Sequence, residues 1–252
     1  MINLGMVTYN VAKDWDLPTL LDMCHRTGFQ GVELRTTHPH GVELALTPEQ
    51  RAAVKQQFAD SGIVLWCLGT TCEYHSPDPA VVQANIRETK DWVRLAADVG
   101  AVGIKVRPNG FVDGVPQEDT LRQIGAALRE CGVFAEDYGV KIMLEVHGHG
   151  TCDPGHIETI MQACGHPLVG VTWNCNQQDI VDGSIAGSFG RLAKWLWSAH
   201  IHDLYEDYPY REFISLLQVI GFTGFCLIEM PESAEPERLL QYYSRLWREW
   251  TE

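Results

Sequence analysis

The residues of this chain that could do chemistry gather at the ends of short apolar runs. The clearest case is Val140–Gly150, V-K-I-M-L-E-V-H-G-H-G. It opens as a continuous apolar segment, the mark of a strand buried on both faces. Glu145, His147 and His149 then follow at every second position. Alternate residues of a strand share a face, so Glu145 and His147 are expected on the side of Met143. A carboxylate and an imidazole on one buried face need a metal, a substrate or an ion pair. Other apolar runs end in the same way: Glu33 and Arg35, Lys105 and Arg107, Asn174 and Asn176, His200 and His202, and Glu229.

Each of these has a plainer reading. Glu33 and Arg35 are read first as a structural ion pair. Lys105 is read as neutralising a neighbouring carboxylate, and Arg107, nearer the strand end, as meeting an anionic or hydroxylated substrate. No pair has the spacing of a zinc finger or of H-E-x-x-H. Two buried carboxylates, Glu145 and Glu229, repel unless a cation or a proton lies between them. With Asn174 and either His200 or His202 they form a mixed oxygen and imidazole set. That set suits Mn²⁺, Mg²⁺ or Co²⁺, with Zn²⁺ also admitted.

The elements that must position these groups alternate along the chain. Strands are predicted at Ile2–Thr8, Val32–Leu34, Ile63–Gly69, Ile104–Arg107, from Val140, and at Leu168–Asn174, Ser198–His202 and Phe225–Glu229. Between them run helical stripes. The first opens at Asp16 with Pro18 in its first turn. The second opens with Thr47-Pro48-Glu49-Gln50, a capping box. Others span about 79–99 and 118–138, begin at Asp153-Pro154, carry Phe189, Leu192, Ala193 and Leu196, carry Phe213 to Ile220, and close the chain with Leu239 to Leu246. Eight β-then-α units in one chain of 252 residues, with no linker or low-complexity tract, predict a single domain over 1–252 built as a (β/α)₈ (TIM) barrel. Functional groups of such barrels sit at the carboxyl ends of the strands, where these polar residues fall.

Acidic residues outnumber basic ones, 33 to 19, for a formal charge of −14. This argues against a nucleic-acid or anionic-membrane surface, both of which need clustered Lys and Arg. Eight cysteines are scattered with no C-x-x-C pair, no signal-like segment follows Met1, and no apolar run approaches a membrane span. A cytoplasmic protein with reduced thiols is expected.

Six motifs in this order resemble the xylose isomerase-like TIM barrels, in particular the sugar phosphate isomerase/epimerase group. They are G-F-Q-G-V-E-L (28–34), A-A-D-V-G-A-V-G-I-K-V (96–106), I-M-L-E-V-H-G (142–148), G-V-T-W-N-C-N (170–176), A-H-I-H-D (199–203) and L-I-E-M (227–230). The resemblance implies a divalent ion, Mn²⁺ first, held by Glu145, Asn174, His200 and Glu229. The choice of His200 follows from setting Asp203 on the Asp of the family's H-x-K-D. Asn174 departs from the family's Asp, which lowers the ligand charge by one. The implied activity is isomerisation or epimerisation of a ketose or sugar phosphate, by proton abstraction beside a carbonyl through a cis-enediolate. Glu145 and Glu229 would be the acid/base pair. His147, His202, Arg107, Lys105, Trp173 and Glu33 would contact the substrate, and Trp66 and Tyr74 could wall it. The implied partner is a small carbohydrate, with a homo-oligomer admitted. The alternatives are a lyase resembling inosose dehydratase and a sugar- or acid-binding barrel whose metal site is disabled.

Overall fold

A computed structural model describes residues 2–252; Met1 lies outside the described residues. The elements run β1 (Asn3–Val7), α1 (Leu17–Thr27), β2 (Gly31–Arg35), α2 (Pro48–Ser61), β3 (Val64–Glu73), α3 (Pro79–Val99), β4 (Gly103–Arg107) and α4 (Gln117–Glu136). They continue as β5 (Lys141–Glu145), α5 (Pro154–Cys164), β6 (Val169–Trp173), α6 (Ala186–Leu192), β7 (Leu196–Ile201), α7 (Tyr210–Val219), β8 (Phe225–Ile228) and α8 (Pro236–Thr251). All eight strands are parallel, and β8 pairs with β1, closing the barrel.

Local chemistry sets the helix starts. Asp16 caps α1 by accepting from the Thr19 amide, and Thr47 with Gln50 forms a reciprocal capping box on α2. Asp153 caps α5 in the same manner. Leu196 is a correction: it opens β7 instead of extending the preceding helix. That helix stops at Leu192, and one 3₁₀ turn, Ala193–Trp195, delivers the chain to the strand.

Two slips in strand pairing close the amino end of the barrel. Val32 pairs with Leu65 but Glu33 with Cys67, leaving Trp66 as the extra residue. Val171 pairs with Leu196 but Thr172 with Ser198, leaving Trp197. Such bulges re-aim side chains. Here both tryptophans pack on Met143, Phe225 and their neighbours, a cluster separate from the main core. Lys141 Nζ lies 5.7 Å from the Trp66 ring centre and 4.9 Å from that of Trp197. With this end plugged by aromatics, the interior is left polar toward the carboxyl ends.

Candidate active site at the carboxyl end of the barrel

Residues from four strands, and one just past a fifth, converge here. Glu33 comes from β2, Lys105 from β4, Glu145 from the last position of β5 and His200 from β7, while Glu229 directly follows β8. His200 is 1% exposed at its side chain and stands at the centre. Its Nε2 lies 3.1 Å from Glu33 Oε2. Its Nδ1 lies 3.3 Å from Glu145 Oε1 and 3.8 Å from Glu229 Oε2. The approach to Glu145 is an ion-pair distance without hydrogen-bond alignment, so Nδ1 remains unpartnered. Lys105 Nζ takes the other oxygen of Glu145, Oε2, at 2.6 Å.

Gly69 makes room for this arrangement. A β-carbon there would stand 2.8 Å from Glu33 Oε1, so the Glu33 carboxylate lies where any larger residue would put its side chain. Asn174 directly follows β6 and is buried, with Oδ1 unpartnered. Cys175 behind it adopts φ +44°, a conformation uncommon for a side-chain-bearing residue. This turn leads directly to Asn176, whose Nδ2 donates to the Val146 carbonyl at 2.7 Å.

The electrostatics follow from burial and crowding. Burial pushes the Glu145 carboxyl up, but Lys105, then His200 and His147, outweigh it and hold the group well below the usual carboxylate range. Burial disfavours charge on Lys105, yet Glu145 and Glu33 keep the ammonium above its ordinary value. Burial likewise opposes charging the His200 ring, while Glu33 and Glu145 push it up to about 10. The same carboxylate field favours any cation placed against Nδ1.

The donor set fits a divalent ion. Ligating atoms of Glu145, His200 and Glu229 all lie within 4.8 Å of one another. Two of the orphaned buried atoms, His200 Nδ1 and Asn174 Oδ1, are atoms that coordinate such ions. Glu33 on Nε2 supplies the carboxylate that orients a metal-ligating histidine through its other nitrogen.

Other expected residues fall elsewhere. Glu33 forms no ion pair with Arg35: its carboxylate is buried on His200, and Arg35 lies over the Tyr9 ring, 5.0 Å from its centre. Trp173 is also corrected. It points outward, fully buried against Phe189 and Phe213, and its Nε1 donates to Tyr208 Oη at 2.9 Å. Alternation along β6 puts Thr172 inside and Trp173 outside. Trp66 belongs to the plug at the opposite end, and Tyr74 is buried, its hydroxyl 2.7 Å from Thr89 Oγ1. Lys105 holds Glu145.

At the rim, Arg107 Nη2 is 3.5 Å from Glu73 Oε2, and its Nε is buried without a partner. His147 is half-buried with Nδ1 unpartnered. His202 is half-buried, with Nδ1 3.9 Å from Glu206 Oε2, and His149 is exposed. Glu33 as the support of His200, Gly69 as its cradle and Glu73 as the partner of Arg107 were not legible as a set. A glycine inside a strand was the available signal for Gly69.

A family model described as Xylose isomerase-like TIM barrel matches residues 21–250. Among curated proteins, the chain is 23% identical to an inosose isomerase of Bacillus velezensis over 192 residues, 75% of this chain and 68% of that protein. An inosose isomerase of Halalkalibacterium halodurans is 23% identical over 203 residues, 79% of this chain and 69% of the relative. Among solved structures, D-psicose 3-epimerase from Clostridium cellulolyticum H10, determined with D-tagatose, superposes with TM-score 0.83 at 16% identity over 100% of both chains. The IOLI protein with a bound zinc atom gives TM-score 0.80 at 17% identity, covering 99% of this chain and 96% of the other. At these identities the structural likeness establishes the fold.

Proposed function

The chain belongs to the xylose isomerase-like TIM barrel family, and we propose that it is a divalent-metal-dependent sugar isomerase or epimerase acting on a ketose or a sugar phosphate. The observation that carries this reading is the convergence of Glu145, His200 and Glu229, and the buried, unpartnered Asn174 Oδ1 just after β6 supports it. Curated relatives that isomerise inososes, and fold relatives that epimerise ketoses, support the same chemistry.

In this reading Glu145, Asn174, His200 and Glu229 hold the ion. When bound, it supplies Lewis acidity toward a substrate carbonyl and its vicinal hydroxyl. Glu229, the more accessible of the two acidic ligands at 25% side-chain exposure, removes the proton beside the carbonyl, giving a cis-enediolate. Glu145 is the second carboxylate. Ionised beside Lys105, it takes a proton from the Lys105 ammonium on its Oε2 and delivers it to the opposite face in an epimerase or to the neighbouring carbon in an isomerase. The proton held by Glu229 returns to Lys105 through solvent. The Lys105 ammonium on Glu145 also places positive charge beside the site, which stabilises developing negative charge. Arg107, His147 and His202, at the rim, orient the hydroxyls or terminal group of the sugar.

The test begins with elemental analysis of protein purified without chelator or affinity-resin metal, followed by a Mn²⁺ titration of melting temperature. Near-stoichiometric metal, or a Mn²⁺-dependent rise that Glu145→Gln removes, is expected. Ketoses are then screened by proton NMR in D₂O for deuterium entering beside the carbonyl. Exchange without an ultraviolet-absorbing product marks isomerase or epimerase chemistry, whereas such a product marks a lyase. Binding of sugar without exchange in the presence of Mn²⁺ would sink the catalytic reading.

A further inference from the structure

We infer that Lys105 is a built-in cation that shares Glu145 with the divalent ion, and that Lys105 and the uncharged Asn174 together give the chain a loose, exchangeable hold on that ion. The inference rests on the proposed ion site and goes beyond it, because it concerns how tightly the site binds and which residues set that.

The geometry divides Glu145 between two cations. Oε2 is bonded to Lys105 Nζ at 2.6 Å, and Oε1 faces His200 Nδ1 at 3.3 Å. While Lys105 stays in place, Glu145 has one oxygen to offer an ion, and two-oxygen coordination is blocked. Lys105 is held there. Its side chain is 9% exposed, and its carbonyl accepts from Thr70 Oγ1 at 2.7 Å. An ammonium on one oxygen and a divalent ion on the other repel across a single carboxylate, in an interior where such forces are poorly screened. The fourth donor, Asn174 Oδ1, brings a carbonyl dipole where a carboxylate would bring a charge.

The charge sum gives this arrangement a use. Glu33, Glu145 and Glu229 contribute three negative charges, and Lys105 with a divalent ion contributes three positive ones. An inner site near neutrality does not repel the negative charge that develops on a substrate when its proton is removed. Without Lys105, the same carboxylates would bind the ion more tightly and leave the site negative.

The test is the Mn²⁺ dissociation constant of the full chain, measured at fixed pH and ionic strength from the free-ion electron paramagnetic resonance signal. Wild type, Lys105→Met, Lys105→Arg and Asn174→Asp are compared. Lys105→Met and Asn174→Asp are each expected to tighten Mn²⁺ binding by roughly ten-fold or more, while Lys105→Arg, which keeps the charge, stays near wild type. The direction matters, because loss of a merely structural lysine would weaken the site. Unchanged or weaker binding in a folded Lys105→Met protein overturns the inference. If that variant does not fold, unchanged or weaker binding by Asn174→Asp overturns it. When Glu145→Gln abolishes Mn²⁺ binding yet neither variant tightens it, the ion site stands and only this inference falls. Should no variant bind Mn²⁺ at millimolar concentration, the ion site and the inference fall together.

Discussion

Glu33 Oε2 accepts from the Nε2 side of the His200 ring at 3.1 Å, and this one contact turns Nδ1 toward Glu145 and Glu229. Glu33 lies on β2 and His200 on β7, so a residue far away in sequence fixes the orientation of the central donor. Losing the Glu33 carboxylate should leave the ring free to rotate. Glu33→Gln is expected to lower Mn²⁺ affinity by roughly 10- to 100-fold, the usual cost of removing a histidine's outer partner. Gly69→Ala should act in the same direction with Glu33 intact, since its β-carbon would stand 2.8 Å from Glu33 Oε1. Isothermal titration with Mn²⁺ checks both, and wild-type affinity in both variants would show that the contact is dispensable.

Glu229 is the site carboxylate nearest solvent, so its loss should affect chemistry more than folding. Glu229→Gln is expected to lower the rate of deuterium exchange beside the carbonyl by about 10²–10⁴-fold, the range for general acid–base groups. Its melting temperature without metal should match wild type within a few degrees. Exchange at the wild-type rate would remove Glu229 from the proton-transfer role.

Lys105 and Glu145 form a buried ion pair, with side-chain exposures of 9% and 5%. Breaking such a pair from one side leaves an uncompensated charge inside the barrel. Glu145→Ala is therefore expected to cost about 3–5 kcal/mol in urea unfolding. Glu145→Gln keeps an acceptor for the ammonium and should cost less. Equal losses in the two variants would mean that the charge of Glu145 contributes little to stability.

Asp179 gives a pH dependence whose sign can be worked out. It is fully buried, and burial pushes its carboxyl from 3.8 up to about 7, against hydrogen bonds from Tyr208 Oη and the Asn176 amide that lower it. The folded state thus holds this proton more tightly than the unfolded chain does. Its contribution to stability is greatest below pH 3.8, falls as pH rises, and is fully lost above about 7. Asp179→Asn keeps an acceptor oxygen and does not titrate. The stability difference between wild type and Asp179→Asn should therefore move against wild type between pH 4 and 7, as read from urea midpoints. A difference that is flat with pH would refute the assignment.

Trp173 separates packing from recognition. Since it lies outside the barrel wall with its Nε1 on Tyr208, Trp173→Phe should cost about 1–3 kcal/mol, from a lost buried hydrogen bond and poorer filling. Sugar affinity and KM should not change. A large rise in KM without loss of stability would return Trp173 to the substrate pocket.

The residue pattern alone determined the order of strands and helices, the closed parallel barrel, the helix caps at Asp16, Thr47 and Asp153, and the strand ends that carry polar groups. These features are local. Alternation assigns faces, side-chain caps satisfy helix amides, and eight β-then-α units have few ways to bury their strands. Which polar residues touch was decided only by the closed barrel. Glu33 reads beside Arg35 in sequence but pairs with His200, because the barrel brings β2 and β7 face to face across its interior. Trp173 reads as a strand-end aromatic of the mouth, yet a single position of register puts it among the helices. Lys105 reads as neutralising a neighbouring carboxylate, and only the pairing of β4 with β5 in the closed barrel selects Glu145 as that carboxylate. Pair contacts across a barrel depend on closure, stagger and bulges such as those at Trp66 and Trp197, none of which a linear pattern encodes.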